Sequence, residues 1–151
     1  MPLLLGDPVR ANPWQWPRCW VDQEPLLERQ HDAIEAFLAE LLLLHGPMQA
    51  AWTASDSIAL ERSCRRLIWD LRLHLRLEER WLAAQNCLCS GHRSAHAQAA
   101  EAAMSSLLRT VNDRQARLSW LLELQSWFDN HRNGPDATAY AIARSNAPDH
   151  S

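Results

Sequence analysis

The sequence predicts an all-α fold: an antiparallel, up-down-up-down four-helix bundle with an extended N-terminal arm. Four segments repeat apolar side chains at helical spacing, and no segment shows the period of two that is typical of a strand. Only four of the 151 residues are glycine, and residues that favour helix are frequent. Because the connections between the helices are short, they favour antiparallel neighbours within one domain that covers residues 1–151.

The arm covers residues 1–21, where four prolines each disfavour helix at the preceding residue. Three indoles lie between these prolines, and we expect them to cover the bundle rather than to form a binding surface. They belong to Trp14, Trp16 and Trp20. The bundle is predicted over residues 22–140, and the polar tail, residues 141–151, is expected to fray.

The first helix is predicted from about Glu24 to His45, where Gly46-Pro47 ends it. Its inner face comprises Leu27, His31, Ile34, Leu38 and Leu41. The second is predicted to begin with Ser55-Asp56-Ser57 as caps and to end near Ala84. Its inner face comprises Cys64, Leu67, Leu71, His74, Glu78 and Trp81. Each face thus carries ionisable residues among apolar ones.

The third helix is predicted from about Gly91 to Val111, before Asn112-Asp113. Its inner face comprises His92, His96, Ala99, Ala103 and Leu107. The fourth is predicted from about Arg114 to Asn133, with an inner face of Leu118, Leu121, Leu124, Phe128 and His131. Every predicted helix therefore places at least one histidine among apolar residues.

Charge and cysteine usage exclude several classes of protein. The formal net charge of −3 argues against nucleic acid or an anionic membrane surface as a partner. The longest apolar run, near Leu41–Leu44, is too short for membrane insertion, and the first residues lack the features of a secretory leader. We therefore expect a cytoplasmic protein with free thiols at Cys19, Cys64, Cys87 and Cys89.

Six ionisable side chains on these faces, together with Asp136 just beyond the fourth helix, form a candidate metal site: His31, His74, Glu78, His92, His96, His131 and Asp136. Residues four apart share one helix face, so His74 can act with Glu78, and His92 with His96. Burying this many polar groups without compensation would cost several kcal/mol each, a cost that bound metal removes. Five imidazoles and two carboxylates suit a pair of iron atoms, because imidazole binds iron and carboxylates can bridge two metals.

The spacing of His131 and Asp136 requires a distortion of the fourth helix. Five residues of regular helix rotate a side chain by about 140° past a full turn. Gly134 tolerates unusual dihedrals, and Pro135 removes an N–H and clashes with the carbonyl four residues back. We expect a kinked or ended helix there that turns Asp136 inward.

These spacings and their order resemble the hemerythrin family, especially its single-domain bacterial members, over about Trp16 to Tyr140. The family's first-helix histidine segment resembles Leu27-Glu-Arg-Gln-His31-Asp-Ala-Ile34, and its H-F-x-x-E-E stretch resembles His74-Leu-Arg-Leu-Glu78-Glu79. Its H-x-x-x-H pair matches His92-Arg-Ser-Ala-His96. Its final W-x-x-x-H-x-x-x-x-D segment matches Trp127 through Asp136, with Tyr140 four residues later.

The resemblance implies a cofactor of two iron ions with oxo or hydroxo and carboxylate bridges. One iron would be held by His92, His96 and His131, and the other by His31 and His74, with one position left vacant. Glu78 and Asp136 would bridge the two ions. The implied function is reversible O2 binding for carriage, storage or delivery rather than catalysis, in a monomer or weak oligomer. A recipient protein is a possible partner. Tryptophans could form its docking surface, although we expect them to pack in the core.

The resemblance also implies a ligand pocket lined by Ile34, Leu75, Trp127, Phe128 and Arg132. Leu75 replaces a common phenylalanine, and Arg132 stands where an aliphatic residue is usual. We expect the Arg132 side chain to extend outward with its charged group in solvent, which would leave the pocket unchanged. The alternative, an inward guanidinium, would favour loss of peroxide or bind an anion. Cys87 and Cys89 precede His92 and are expected to be inert, although thiols near iron could act as reductants or oxidation targets.

Other interpretations use fewer of the seven residues. A zinc site of Cys87, Cys89, His92 and His96 would leave the remaining five without a role. A ferritin-like enzyme needs two E-x-x-H pairs, and only Glu28 and His31 have that spacing; we expect Glu28 and Glu79 to face solvent. Within the diiron interpretation, an oxidase or peroxidase with a leakier pocket remains open. So does a sensor of O2, redox state or nitric oxide, although such sensors usually carry an output domain and none is visible.

Overall fold

The computed structural model describes residues 23–46 and 51–146. Across these ranges it is all-helical and contains no strand. The helices are α1 (Gln23–His45), α2 (Ala54–Ala84), α3 (Ser90–Arg109), α4 (Arg114–His131) and α5 (Ala137–Asn146), with a π-helical segment (Arg132–Asp136) between α4 and α5. The predicted arm, with its three tryptophans and Cys19, lies outside the described residues. None of the described helices is long and apolar enough to cross a membrane.

The start of α2 differs from the prediction. Its N-cap is Thr53, whose hydroxyl accepts a hydrogen bond from the Asp56 N–H at 3.0 Å, while the Asp56 carboxylate accepts one from the Thr53 N–H at 2.9 Å. This reciprocal capping box satisfies two N–H groups that the first helical turn leaves free. Ser55 and Ser57 are therefore inside the helix, and the Thr-x-x-Asp spacing was the signal to use.

The helices pack around a shared core. α1 packs against α2 and α4, and α3 packs against the same two helices. Two apolar clusters make up the core. Ile34 and Leu71 belong to the larger cluster, and Leu27 and Leu77 to the smaller one. Because His31 lies between Leu27 and Ile34 in sequence, and His74 between Leu71 and Leu77, the polar residues form a layer between the two clusters.

The chain continues as helix beyond Tyr140, where fraying was expected. In α5 the buried residues are Ala139, Tyr140 and Ala143, which pack with Leu27, Leu77 and Trp81 in the smaller cluster. Their spacing of one and three residues makes a short apolar stripe. The predicted tail therefore begins too early, because burial of this stripe stabilises the helix as far as Asn146.

Candidate metal centre

The fold brings all seven predicted ligands into the polar layer. Their exposed fractions run from 0% to 5%, so the whole set is removed from solvent. They form two overlapping groups of potential ligand atoms that lie within 4.8 Å of one another. The first contains Glu78, His92, His96, His131 and Asp136, and the second contains His31, His74 and Glu78. Buried ionisable groups at this density require compensating partners, which metal ions can provide.

The imidazoles of His92, His96 and His131 lie on the side of Glu78 Oε1 and Asp136 Oδ1. Glu78 Oε1 lies 3.1 Å from His92 Nε2 and 3.2 Å from His96 Nε2. Asp136 Oδ1 lies 2.9 Å from His92 Nε2 and 3.0 Å from His131 Nε2. The Nε2 atoms of His96 and His131 are themselves only 2.9 Å apart. The three Nε2 atoms and two oxygens thus converge on one point.

The other two imidazoles face the opposite oxygens of the same carboxylates. Glu78 Oε2 lies 3.4 Å from His74 Nε2 and 3.5 Å from His31 Nε2. Asp136 Oδ2 lies 3.3 Å from His31 Nε2. Glu78 and Asp136 therefore stand between a group of three histidines and a group of two.

The π-helical segment explains how His131 and Asp136 reach the same site. The Ala137 N–H bonds to the carbonyl of Arg132, five residues earlier, which is the wider hydrogen-bond spacing of a π-helix. The predicted distortion is present, with Pro135 inside it and Asp136 only 2% exposed. No glycine among the described residues has a positive φ, so Gly134 is not needed here for an unusual dihedral.

Two groups outside the seven orient the imidazoles. His74 Nδ1–H donates to Gln30 Oε1 at 2.8 Å, and His96 Nδ1–H donates to Glu79 Oε2 at 3.1 Å. The expectation that Glu79 is only solvated is therefore wrong, because its half-buried carboxylate reaches His96. Gln30 was missed, although its position three residues after Leu27 and four before Ile34 places it on the inner face of α1. Such partners fix ring orientation and tautomer.

Unpaired imidazole nitrogens of His31 and His74 show that these residues fit a metal ion. Because His74 Nδ1 carries the proton donated to Gln30, its Nε2 presents a lone pair. Among the described residues, neither that atom nor His31 Nε2 has a hydrogen-bond partner, and both are buried. Burial lowers the pKa of His74, which keeps the lone pair free. A cation would satisfy both nitrogens, whereas leaving them unpaired costs stability.

The two carboxylates give the layer negative charge. Burial alone would raise the pKa of Glu78, but the four surrounding histidines hold that pKa well below its usual range. For Asp136, His131 is the principal partner that outweighs burial and lowers the pKa. Burial lowers the pKa of His31 and His92, but the same carboxylates outweigh it and raise these values to about 9 and about 10. In the absence of metal, protons on His31 and His92 therefore balance the negative charge of the two carboxylates, which a metal cation would otherwise balance.

Two of the five predicted pocket residues, Phe128 and Trp127, contact imidazoles of the layer. The Phe128 ring lies 5.6 Å from the His31 ring and 6.1 Å from the His74 ring, and Trp127 stacks on His131 at 4.6 Å. Ile34 and Leu75 are buried in the larger apolar cluster.

Arg132 does not belong to the pocket, which corrects that part of the predicted set. Its guanidinium crosses to α1 and donates to Glu35 at 2.7 Å, Glu28 at 2.9 Å and Asp32 at 3.0 Å. The side chain is directed outward, as expected, and its charge is neutralised by three carboxylates. Glu28 is partly exposed, but it is paired with Arg132 rather than free in solvent.

The described cysteines, Cys64, Cys87 and Cys89, are free thiols. Cys89 caps α3 by accepting a hydrogen bond from the His92 N–H at 3.3 Å. No cysteine belongs to the metal-binding groups found among the described residues, so the geometry does not support the zinc alternative.

Comparison of the chain with family models, with curated proteins and with solved structures finds no match.

Proposed function

We propose that this chain is a non-heme diiron protein of the hemerythrin family that binds O2 reversibly for carriage, storage or delivery. The proposal rests on how Glu78 and Asp136 separate the five histidines. Three histidines lie on one side of the two carboxylates and two lie on the other, and each carboxylate points one oxygen toward each group. His92, His96 and His131 would hold one ion, and His31 and His74 would hold the other, with Glu78 and Asp136 offering an oxygen to each. The ion on the two-histidine side would therefore have one protein ligand fewer.

Imidazole and carboxylate donors suit iron. When bound, the iron pair would supply two electrons and an open coordination position for O2.

The residues around the two-histidine side would protect that position. Phe128 is only 2% exposed, and its ring packs edge-on against both His31 and His74. The adjoining apolar cluster contains Ile34 and Leu38, each 1% exposed. A dry apolar wall limits access of water and of protons, which favours release of the bound gas unchanged over irreversible oxidation.

Tyr140 holds one of the two carboxylates that face that side. Its hydroxyl donates to Glu78 Oε2 at 2.9 Å, the oxygen that faces His31 and His74. Burial and the charge of Glu78 raise the pKa of Tyr140 far above its usual value, so the phenol keeps its proton. Tyr140 can therefore fix the orientation of this carboxylate without supplying a proton at neutral pH.

The proposal includes the antiparallel up-down-up-down arrangement. Residues 85–89 and 110–113 are the only connections between α2 and α3 and between α3 and α4. Segments this short normally join antiparallel neighbours.

Metal analysis followed by an anaerobic spectrum tests the function. We expect about two irons per chain, and a charge-transfer band that appears when the reduced protein meets air and disappears when O2 is removed. One zinc per chain, or no band, would contradict the proposal. Steady O2 consumption with release of peroxide would support an oxidase instead.

A pair of histidine variants supplies the matched control. His131→Ala removes a ligand of the three-histidine group and should lower the iron content. His45→Gln changes a buried histidine whose Nδ1 bonds to the Leu41 carbonyl, outside the metal-binding groups. It should leave the iron content unchanged, and equal loss in both variants would show that His131 is not a ligand.

A further inference from the structure

A groove of about 430 Å³ opens between α2 and α3 and shares one wall with the candidate metal centre. Its lining includes Glu79 and His96, which are joined by the hydrogen bond described above. A volume of this size suits a small organic molecule. The groove faces away from the Phe128 side, since neither Phe128 nor the two-histidine group lines it.

The groove is positively charged on a chain whose net charge is −3. Three arginines line it, Arg72, Arg76 and Arg93, against the single carboxylate of Glu79. With histidine counted as neutral, three positive charges and one negative give +2. Across the part of the chain that the structure describes, these arginines are exposed and make no hydrogen bond or ion pair. Like charges four residues apart, as at Arg72 and Arg76, weaken a helix unless something binds them.

An exposed aromatic side chain lies beside these charges. Trp69 lines the same groove and is 67% exposed. Ala97 and Ala100 face it from α3, and their small side chains leave space between the helices. An aromatic ring can pack on an exposed indole, while guanidinium groups bind phosphate or carboxylate through paired N–H donors. The groove thus offers an apolar surface and an anion-binding edge together.

We propose that this groove binds an aromatic oxyanion, with its phosphate or carboxylate group among the three arginines and its ring against Trp69. Because Glu79 lies in the groove and also holds His96, the bound anion changes the environment of the His96 ring. This inference goes beyond the proposed O2 binding and holds whichever metal occupies the centre.

Calorimetric titration of the purified full-length chain tests the binding. The probes are 1-naphthyl phosphate and 1-naphthoate, with 1-naphthol as the uncharged control and inorganic phosphate as the control without a ring. We expect at least one aromatic anion to bind with a Kd below about 1 mM, and both controls to bind at least about tenfold more weakly. The stronger of the two anions identifies the oxyanion. If neither saturates below about 1 mM, or if naphthol binds equally well, the proposal is wrong.

Two arginine variants separate the groove from general positive charge. Arg76→Gln should weaken binding of the better probe about tenfold or more. Arg109→Gln is the matched control, because Arg109 is exposed on α3 and does not line the groove. Within the described ranges its side chain bonds only to Ser106. It should leave the Kd unchanged. Equal effects of the two substitutions would overturn the assignment to the groove.

The link to the metal centre has its own readout. Ring signals of His96 in a histidine-labelled NMR spectrum should shift on titration of the better probe, and Glu79→Ala should reduce the shift while binding persists. A probe that binds without moving the His96 signals would overturn the coupling through Glu79.

Discussion

Replacement of Arg132 tests whether the surface of α1 supports the metal centre. Arg132 directly follows His131 at the start of the π-helical segment, and its guanidinium bonds to Glu28, Asp32 and Glu35 around His31 on α1. One side chain thus ties the segment that carries Asp136 to the helix that carries His31. Arg132→Met removes this connection and leaves three carboxylates close together.

The expected loss of stability is modest because these partners are partly exposed. The side chain of Arg132 is 21% exposed, and those of its partners are 40% to 71% exposed. Surface ion pairs contribute about 0.2–1 kcal/mol each, so three give a loss of about 1–2 kcal/mol after screening. For a chain of this size that lowers Tm by about 3–6 °C. The measurement is thermal unfolding of the metal-free protein at low salt and in 1 M salt, where the loss should shrink.

Arg144→Met is the matched control, because Arg144 on α5 pairs with the single carboxylate Glu24. Its effect should be under about 1 kcal/mol. If Arg132→Met costs no more than this control, or costs the same at both salt concentrations, then the three-carboxylate contact does not tie the segment to α1. Metal should also dissociate faster from the Arg132 variant, since Asp136 loses part of its support.

Three other substitutions test separate features. Gln30→Leu removes the partner of His74 Nδ1 and should weaken metal binding about 10- to 100-fold. Metal affinity would be measured by competition with a chelator, and an unchanged affinity would show that Gln30 does not orient the ring. Gly134→Ala should raise the free energy of unfolding by up to about 1 kcal/mol, because Gly134 has no positive φ and alanine restricts the unfolded chain. Among the described residues, the added Cβ meets nothing within 4 Å beyond the chain neighbours and the backbone of its own helix. A loss of stability in denaturant titration would show that the π-helical segment needs glycine. Burial lowers the pKa of His45, so the unfolded chain takes up a proton near pH 6.5 before the folded chain does, and stability should fall as the pH drops below about 6.5. His45→Gln should reduce this dependence, and an identical pH profile would contradict it.

Local patterns predicted the helices more reliably than their ends. The inner faces of α1 and α2 carry their apolar residues at helical spacing, and the predicted members of both faces are buried. The beginning of α2 was misplaced because several adjacent residues can cap a helix, and only the reciprocal bonds of Thr53 and Asp56 select one. The extent of α5 was missed because its short apolar stripe is stable only against Leu77 and Trp81.

The sequence by itself determined which side chains enter the polar layer. Helical periodicity places His31, His74, Glu78, His92 and His96 on inner faces, and the unusual spacing of His131 and Asp136 predicted a distortion near Pro135. These are local properties, because backbone geometry sets the direction of a side chain relative to its own helix.

Only the tertiary structure decided how the two carboxylates separate the histidines into two groups. It also decided that Gln30 and Glu79 orient two of the rings, and that the Arg132 side chain bonds to α1 instead of entering the layer. Each outcome depends on atoms from different helices coming within about 3 Å, the range of a hydrogen bond. Spacing within one helix cannot specify such distances. They follow from packing of the two apolar clusters on either side of the layer, which fixes the positions of the helices relative to one another.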